Sequence, residues 1–405
     1  MGHKQVNVVF VGSVVSREAQ ESLRAASPAG NNFQLGFLGG AATLGVRLTV
    51  VAVEPHAMGK RPGDRLVIRA STQPLVQGLV GRTVGFVNIP GVKQLCIAVG
   101  TLSRLVVWRL RGWEDSGGNT VILYNSLSYQ FLPCYMASRL FRCQFGVVVA
   151  DLPLGRTRNA LGGVIEKVEQ WLEVGSLRHA DFLVPLTRHT QPDLAPNVPS
   201  IVVEGGHSEI DRAGRVVARD ATVPRRLLYA GSLNSVSGIA LAIQAVRLIP
   251  DGEVVLHIYG SGTAEQVASV RAYQSDSIVY HGTVERREIL QIESEVDMLL
   301  SPRIPDEFVT RYTFPSKLLE YMASGTPVLS NCLDGIPEEY LGYVVVPASP
   351  TPEAWAATIR EVCWDESGEY ERTARRARRF VLEQKSWAKQ AARVVEFLRK
   401  QARGA

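Results

Sequence analysis

The residues from Arg303 to Asn331, RIPDEFVTRYTFPSKLLEYMASGTPVLSN, carry the strongest chemical signal in the chain. Pro315 suits the first turn of a helix, where its missing N–H costs nothing. SKLLEYMAS supplies good helix formers, Gly325 suits the C′ position, and a strand is expected over Thr326–Ser330. A helix starting there leaves the N–H groups of Ser316, Lys317 and Leu318 without intrahelical partners, beside the positive end of the macrodipole. That is an anion site. The Ser316 hydroxyl and the Lys317 ammonium add a hydrogen bond and a full charge, which suits the diphosphate of an activated donor. Glu320 shares that face one turn on, where a carboxylate can accept from both hydroxyls of a ribose. The same residues also read as a capped core helix in which Glu320 offsets the dipole and Lys317 is solvated.

Further candidates lie in the first half of the chain. Asp151 ends FGVVVAD ahead of Leu152 and Pro153, at the carboxyl end of a strand. There it either orients or deprotonates an acceptor hydroxyl, or caps the segment that follows. Gly30, Asn31 and Asn32 precede the helical pattern FQLGFLGGAATLG and either present N–H groups and amides to a cleft or cap that helix. His207 reads as a loop histidine. VGTLSRLVVWRLRGW (99–113) places Arg104, Arg109 and Arg111 among apolar residues with Trp108 and Trp113, as a segment docking on an anionic bilayer or as a core helix with a solvated basic edge. No Asp-x-Asp pair is present to hold a divalent ion, so a metal is not expected and helix N–H groups with Lys or Arg must neutralise a leaving diphosphate. Nicotinamide chemistry is disfavoured as well: VFVGSVVSRE lacks the Gly-x-Gly-x-x-Gly turn, and GSGTAE (260–265) fails it at Glu265.

These residues need strands and helices to place them. VNVVFVG (6–12), RLTVVAV (47–53), TVILYN (120–125), FGVVVAD (145–151), DFLVPLT (181–187) and SIVVEGG (200–206) alternate with helical patterns, which argues a parallel sheet covered on both faces. Residues 209–225 turn polar and read as a linker. The alternation restarts with RLLYAGS (226–232), EVVLHIYG (253–260), SIVYHG (277–282), DMLLSP (297–302), TPVLSN (326–331) and YVVVPA (343–348). The expected organisation is an acceptor-side α/β domain over 1–208 and a nucleotide-sugar-binding α/β domain over 226–384. Trp387, Ala391, Val394, Val395 and Leu398 recur at helical spacing, so a helix over 385–403 is expected to cross back to the first domain. Ligands of open parallel sheets sit outside the carboxyl ends of the strands, so two such domains would frame a cleft.

Composition sets the remaining bounds. At roughly 150 residues per domain, 405 residues imply two or three domains. Residues 371–405 hold eleven Lys or Arg against three Glu, so the other 370 residues sum to −3 within an overall +5. A basic excess confined to one terminal segment is not the face that grips nucleic acid. Five scattered cysteines (Cys96, Cys134, Cys143, Cys332, Cys363) without Cys-x-x-Cys read as reduced cytoplasmic thiols. The N-terminus lacks a signal-peptide pattern, and the longest apolar stretch, Leu95–Trp108, is interrupted and too short to span a bilayer.

In combination, the segments around Pro315 resemble the donor-binding signature of the family 4 glycosyltransferases, retaining enzymes of the two-domain GT-B fold. LLYAGSLNSVSG (227–238) resembles the family's Gly-Arg-x-x-x-x-Lys-Gly turn, HIYGSG (257–262) its second strand and turn, and YHGTV (280–284) the strand end that frames the base. FPSKLLEYMASGTPVL resembles bacterial sugar transferases of surface-polysaccharide assembly, and NNFQLGFLGG, VVVADLP and VPLTRHT recur in the expected order in the first half. The chain departs from the pattern at Ser232 and Ser237, where the family has basic residues, and at Tyr312, where its paired-Glu motif has the first Glu; Arg303, Arg311 and Lys317 are the cations available instead.

The resemblance implies an α/β GT-B protein with two doubly wound Rossmann-like domains. It implies a donor site of Gly231, Ser232, Gly260, Val284, Arg303, Tyr312, Ser316, Lys317, Leu318 and Glu320, with Asp151, Lys317 and Glu320 at the chemistry and Gly30, Asn31, Asn32 and Asp151 on the acceptor side. The substrates would be a nucleotide-diphosphate sugar and a saccharide or lipid-linked saccharide, with no cofactor; the charge distribution implies no nucleic acid partner, and residues 99–113 add a peripheral contact with the inner membrane surface. A catalytically degenerate scaffold for a polysaccharide assembly complex is the alternative.

Overall fold

A computed structural model describes residues 6–23, 25–57, 65–76, 78–112, 118–152, 160–208, 224–306 and 309–404. The chain divides into two units, residues 1–206 with 387–405, and residues 207–386. Residues 209–223 of the linker expected over 209–225 lie outside the described residues, as does Trp113, and Arg225 already belongs to a strand.

The first unit contains β1 (Asn7–Gly12), α1 (Arg17–Ser22), α2 (Pro28–Ala42), β2 (Arg47–Ala52), β3 (Val67–Ile68), β4 (Thr72–Val76), β5 (Leu79–Thr83), β6 (Phe86–Val87), α3 (Val92–Arg111), β7 (Asn119–Tyr124), α4 (Ser128–Phe141), β8 (Gln144–Val149), α5 (Ala160–Ser176), β9 (Phe182–Pro185) and α6 (Thr190–Leu194). Its seven-stranded sheet runs β4-β5-β2-β1-β7-β8-β9. The strands from β5 to β9 are parallel, as their continuous apolar runs require, and β4 is an antiparallel edge. SIVVEGG, expected as a strand, makes a single bridge to β9. Pro185 in β9 has no N–H to return to it, and the pairing stays one-sided there: Val203 N–H donates to Pro185 O at 2.9 Å.

The second unit contains β10 (Arg225–Ala230), α7 (Ile239–Val246), β11 (Val254–Tyr259), α8 (Ala264–Arg271), β12 (Ile278–Gly282), α9 (Arg286–Glu295), β13 (Met298–Ser301), α10 (Val309–Tyr312), α11 (Ser316–Ser324), β14 (Val328–Ser330), α12 (Glu338–Leu341), α13 (Pro352–Cys363) and α14 (Glu369–Gln384). Its parallel sheet runs β12-β11-β10-β13-β14. YVVVPA, also expected as a strand, contributes one bridge, Val345 to Leu329.

Three apolar cores follow from this layering, two on the faces of the first sheet and one in the second unit. The last helix, α15 (Trp387–Gly404), packs on α2 and places Trp387, Ala391, Val394, Val395 and Leu398 in a core of the first unit. The Trp387 indole needs bare backbone on α2: a Cβ at Gly36 would sit 2.1 Å from its Nε1, and one at Gly40 would sit 2.3 Å from the Trp387 carbonyl.

Candidate functional site

The carboxyl ends of β10 to β13 are joined backbone to backbone. Gly231 N–H donates to Tyr259 O at 3.0 Å, and Gly260 N–H donates to Gly282 O at 2.7 Å. Gly260 has φ +153°, and a Cβ there would lie 1.8 Å from Gly231 O, so the loops after β10 and β11 approach as only glycine permits. Gly238, at φ +75°, turns the chain onto α7 with Pro302 O in the space a Cβ would fill. Beneath these loops the fully buried Tyr321 clamps α11 to β10: its Oη accepts Ala230 N–H at 2.8 Å and donates to Ala230 O at 3.1 Å. Gly231, Ser232, Gly260, Val284 and Arg303 thus lie in the loops that leave the sheet along one edge.

The helix after Pro315 starts one residue later than expected. Pro315 is the N-cap, with ψ 95°, and the first helical residue is Ser316. Leu318 is fully buried and its N–H donates to Pro315 O at 2.8 Å, so it is not one of the open groups at the tip. Among the described residues, Ser316 and Lys317 remain there. Gly325 ends the helix at φ +82°, the left-handed conformation expected of a glycine cap.

Lys317 and Glu320 form part of a four-residue ionic network. Lys317 Nζ donates to Glu320 Oε1 and stands 3.7 Å from Glu293 Oε1, while Arg286 Nη1 lies 2.7 Å from Glu320 Oε2. Burial alone would raise the Glu320 carboxyl, but Lys317 and Arg286 outweigh it and hold the group at about 2. Glu293 goes the other way. Its side chain is fully buried, and that burial, followed by the neighbouring Glu320 charge, pushes it well above the usual carboxylate range. Glu293 is accordingly the member of the pair that keeps its proton as pH rises, beside an anionic Glu320, and neither of its buried oxygens makes a hydrogen bond.

This division of charge sets a pH dependence. Above about pH 4.5 the unfolded chain releases the Glu293 proton that the folded chain keeps, so stability falls as pH rises until the raised folded value is passed. Glu293→Gln, which has no proton to release, is expected to lose that decline, gaining on the parent by up to about 1.4 kcal/mol per pH unit. Denaturant melts from pH 5 to 8 measure the gap, and parallel profiles would contradict the assignment.

Other expected residues fall differently. Arg303 Nη2 donates to Thr313 Oγ1 at 3.1 Å, and Tyr312 is half-buried in α10. Arg311 is not a spare cation for a donor: its guanidinium lies 3.6 Å from Asp334. Gly30, Asn31 and Asn32 do not precede a helix but lie within the first turns of α2, whose cap Ser27 accepts Gly30 N–H at 3.3 Å. The Asn31 amide is consumed internally by Val15 N–H, Val15 O and Gln20 Oε1, fixing the loop after β1. His207 is buried, its N–H donating to Lys385 O at 2.8 Å, and Trp108 is buried in the core rather than presented to solvent. Asp151 is exposed two residues beyond β8. Its N–H and that of Ala150 both donate to Asn125 Oδ1, at 3.1 and 2.9 Å, from an Asn125 held at φ +60°. Among the described residues no three His, Cys, Asp or Glu side chains gather to hold a metal ion.

Arg286, Glu293, Tyr321 and Asn125 are absent from the sequence reading. Glu293 carried a signal: it continues the buried stripe of Ile289 and Leu290 on α9, and a carboxyl at such a position demands a partner.

Residues 224–365 match the family described as Glycosyl transferases group 1, so the second unit carries a domain of that class. No curated protein matches the sequence. Among solved structures, the chain is similar to sucrose-phosphate synthase from Thermosynechococcus elongatus, with 15% identity, 99% of this chain and 100% of that one covered, and a TM-score of 0.70. HepE from Anabaena in complex with UDP gives 12% identity, 98% and 100% coverage and 0.65. The lipopolysaccharide outer core galactosyltransferase WaaB gives 14%, 97% and 99%, and 0.62. At such identities the likeness shows the fold, which over the whole chain is the GT-B arrangement of two Rossmann-like α/β units.

Proposed function

We propose that the protein is a glycosyltransferase moving a sugar from a nucleotide-diphosphate donor to a saccharide or lipid-linked saccharide acceptor. It does so with retention and without a metal ion, in polysaccharide or glycoconjugate biosynthesis in the cytoplasm. The observation that carries this reading is the α11 tip, where Ser316 and Lys317 stand ahead of an ionised Glu320 inside the matched group 1 domain. The helix N-terminus and the Lys317 ammonium act on the departing diphosphate as its charge builds, and Glu320 addresses the ribose. A donor phosphate oxygen takes the acceptor proton, and Asp151 orients the acceptor hydroxyl and assists its deprotonation. The UDP bound in the HepE neighbour supports a nucleoside diphosphate as the ligand class.

Thermal shift with nucleosides, nucleoside diphosphates and nucleotide sugars tests the donor assignment. A diphosphate at a hundred times its dissociation constant should stabilise the chain by about 2.7 kcal/mol, and the matching nucleoside far less. No shift with any nucleotide would remove the reading. A second reading, a scaffold that has lost turnover, is favoured by Ser232, Ser237 and Tyr312 at positions where the resemblance expects charged residues; it requires binding without transfer.

A further inference from the structure

The outward faces of α3 and α4 carry apolar side chains where a solvated helix carries charges. On α3, Val92, Leu95, Val99, Val106 and Leu110 form a stripe at helical spacing opposite the buried Ile97, Thr101, Leu105 and Trp108. Leu95 is 65% exposed and Leu110 77%. Ser103, in the middle of that stripe, returns its hydroxyl to Val99 O at 2.9 Å. On α4, Leu132, Met136 and Leu140 make a second stripe, with Leu140 74% exposed. The two helices pack side by side, and α5, which adds the exposed Trp171, packs against α4. Patches of this kind on a folded protein mark an interaction surface.

Charge identifies the partner. Together α3 and α4 contain Lys93, Arg104, Arg109, Arg111 and Arg139 and not one Asp or Glu. Lys93 and Arg104 reach back to the carbonyls of His56 and Thr83, and Arg139 also pairs with Asp181, but Arg111 and Arg139 remain exposed beside the leucines. A second copy docking face to face would set the cations of α3 and α4 against their own copies. Among the described residues no helix is long and apolar enough to cross a membrane. Exposed leucines flanked by cations match a helix surface lying in an anionic lipid interface, and α5, whose sequence holds Glu166, Glu169 and Glu173, is left outside it.

We propose that the α3–α4 face docks the protein on an anionic bilayer, with the leucine stripes entering the acyl boundary. The surface lies wholly in the first unit and does not depend on the donor site, so its test is separate from that of sugar transfer. Flotation of the full chain with vesicles of 30% phosphatidylglycerol in phosphatidylcholine should show binding that falls at least tenfold on pure phosphatidylcholine and weakens with added salt. Leu95→Glu/Leu110→Glu/Leu140→Glu should abolish binding, and Arg111→Gln/Arg139→Gln should weaken it several-fold, with Arg111→Gln alone, which leaves the Arg139–Asp181 pair intact, weakening it at an unchanged melting curve. Should the triple variant misfold, the arginine variant alone decides. Absence of the protein from the anionic vesicle fraction would overturn the proposal. So would equal binding to neutral vesicles, undiminished binding of the arginine variant, or a dimer in sedimentation that the leucine variant dissociates.

Discussion

Lys317→Met is expected to lower both stability and diphosphate affinity, through two separable effects. The ammonium stands between the ionised Glu320 and the buried Glu293. Breaking a buried charge pair costs about 3–5 kcal/mol. Lys317 keeps 39% exposure and Arg286 still reaches Glu320, so a loss of about 2 kcal/mol is the expectation, a melting shift of roughly 4–8 °C. Separately, a charge-assisted contact to the leaving diphosphate is worth about 1.5–3 kcal/mol, and nucleoside diphosphate affinity should drop roughly 10- to 100-fold while nucleoside affinity changes little. The double variant Lys317→Met/Glu320→Gln resolves the effects. Removing both charges restores most of the stability, yet diphosphate affinity stays low. Equal losses for nucleoside and diphosphate in calorimetry would mean that Lys317 serves only the carboxylates.

Asp151→Asn should leave nucleotide binding within about twofold and reduce sugar transfer on the order of a hundredfold, the usual contribution of general acid–base assistance. The residue belongs to the first unit, while the Ser316–Glu320 tip belongs to the second. Its exposed side chain stands on a backbone that Asn125 fixes through two N–H groups, so the amide replacement keeps the position and removes the charge. Undiminished transfer with a verified acceptor would exclude Asp151 from the chemistry. A fall in donor affinity would show that it also reaches the nucleotide.

The parallel strands were legible because a strand buried on both faces must be apolar throughout, as in NVVFVG and VVLHIY. The hairpin of β4 and β5 was not, since TQPLV and LVGRT each offer two adjacent apolar residues rather than a continuous run, with Pro74 and Gly81 inside them. At the site, helix α11 could be placed to within one residue because Gly325 and the run of helix formers bracket it, and Pro315 satisfies the backbone demands of either starting position. The partners of its charged residues were invisible. Arg286 and Glu293 come from α9, and only the fold brings that helix beside α11. A local pattern therefore proposed Lys317 as an open cation, whereas the structure shows it held by the Glu320 carboxylate and close to the Glu293 carboxyl group.

The return of the chain through Trp387 has a consequence for the order in which the protein is made. The core of the first unit includes Val8, Phe10, Phe33 and Leu38, which precede the second unit in the chain, and Trp387, Ala391, Val394 and Leu398, which follow it. Everything between His207 and Ser386 is synthesised before those last side chains exist. On the ribosome the second unit therefore has all its own residues while the first still lacks the helix that fills its core. The usual precedence of the N-terminal domain is reversed: the unit begun before the other is completed after it, and its glycine-lined socket on α2 stays open until the second unit has been synthesised.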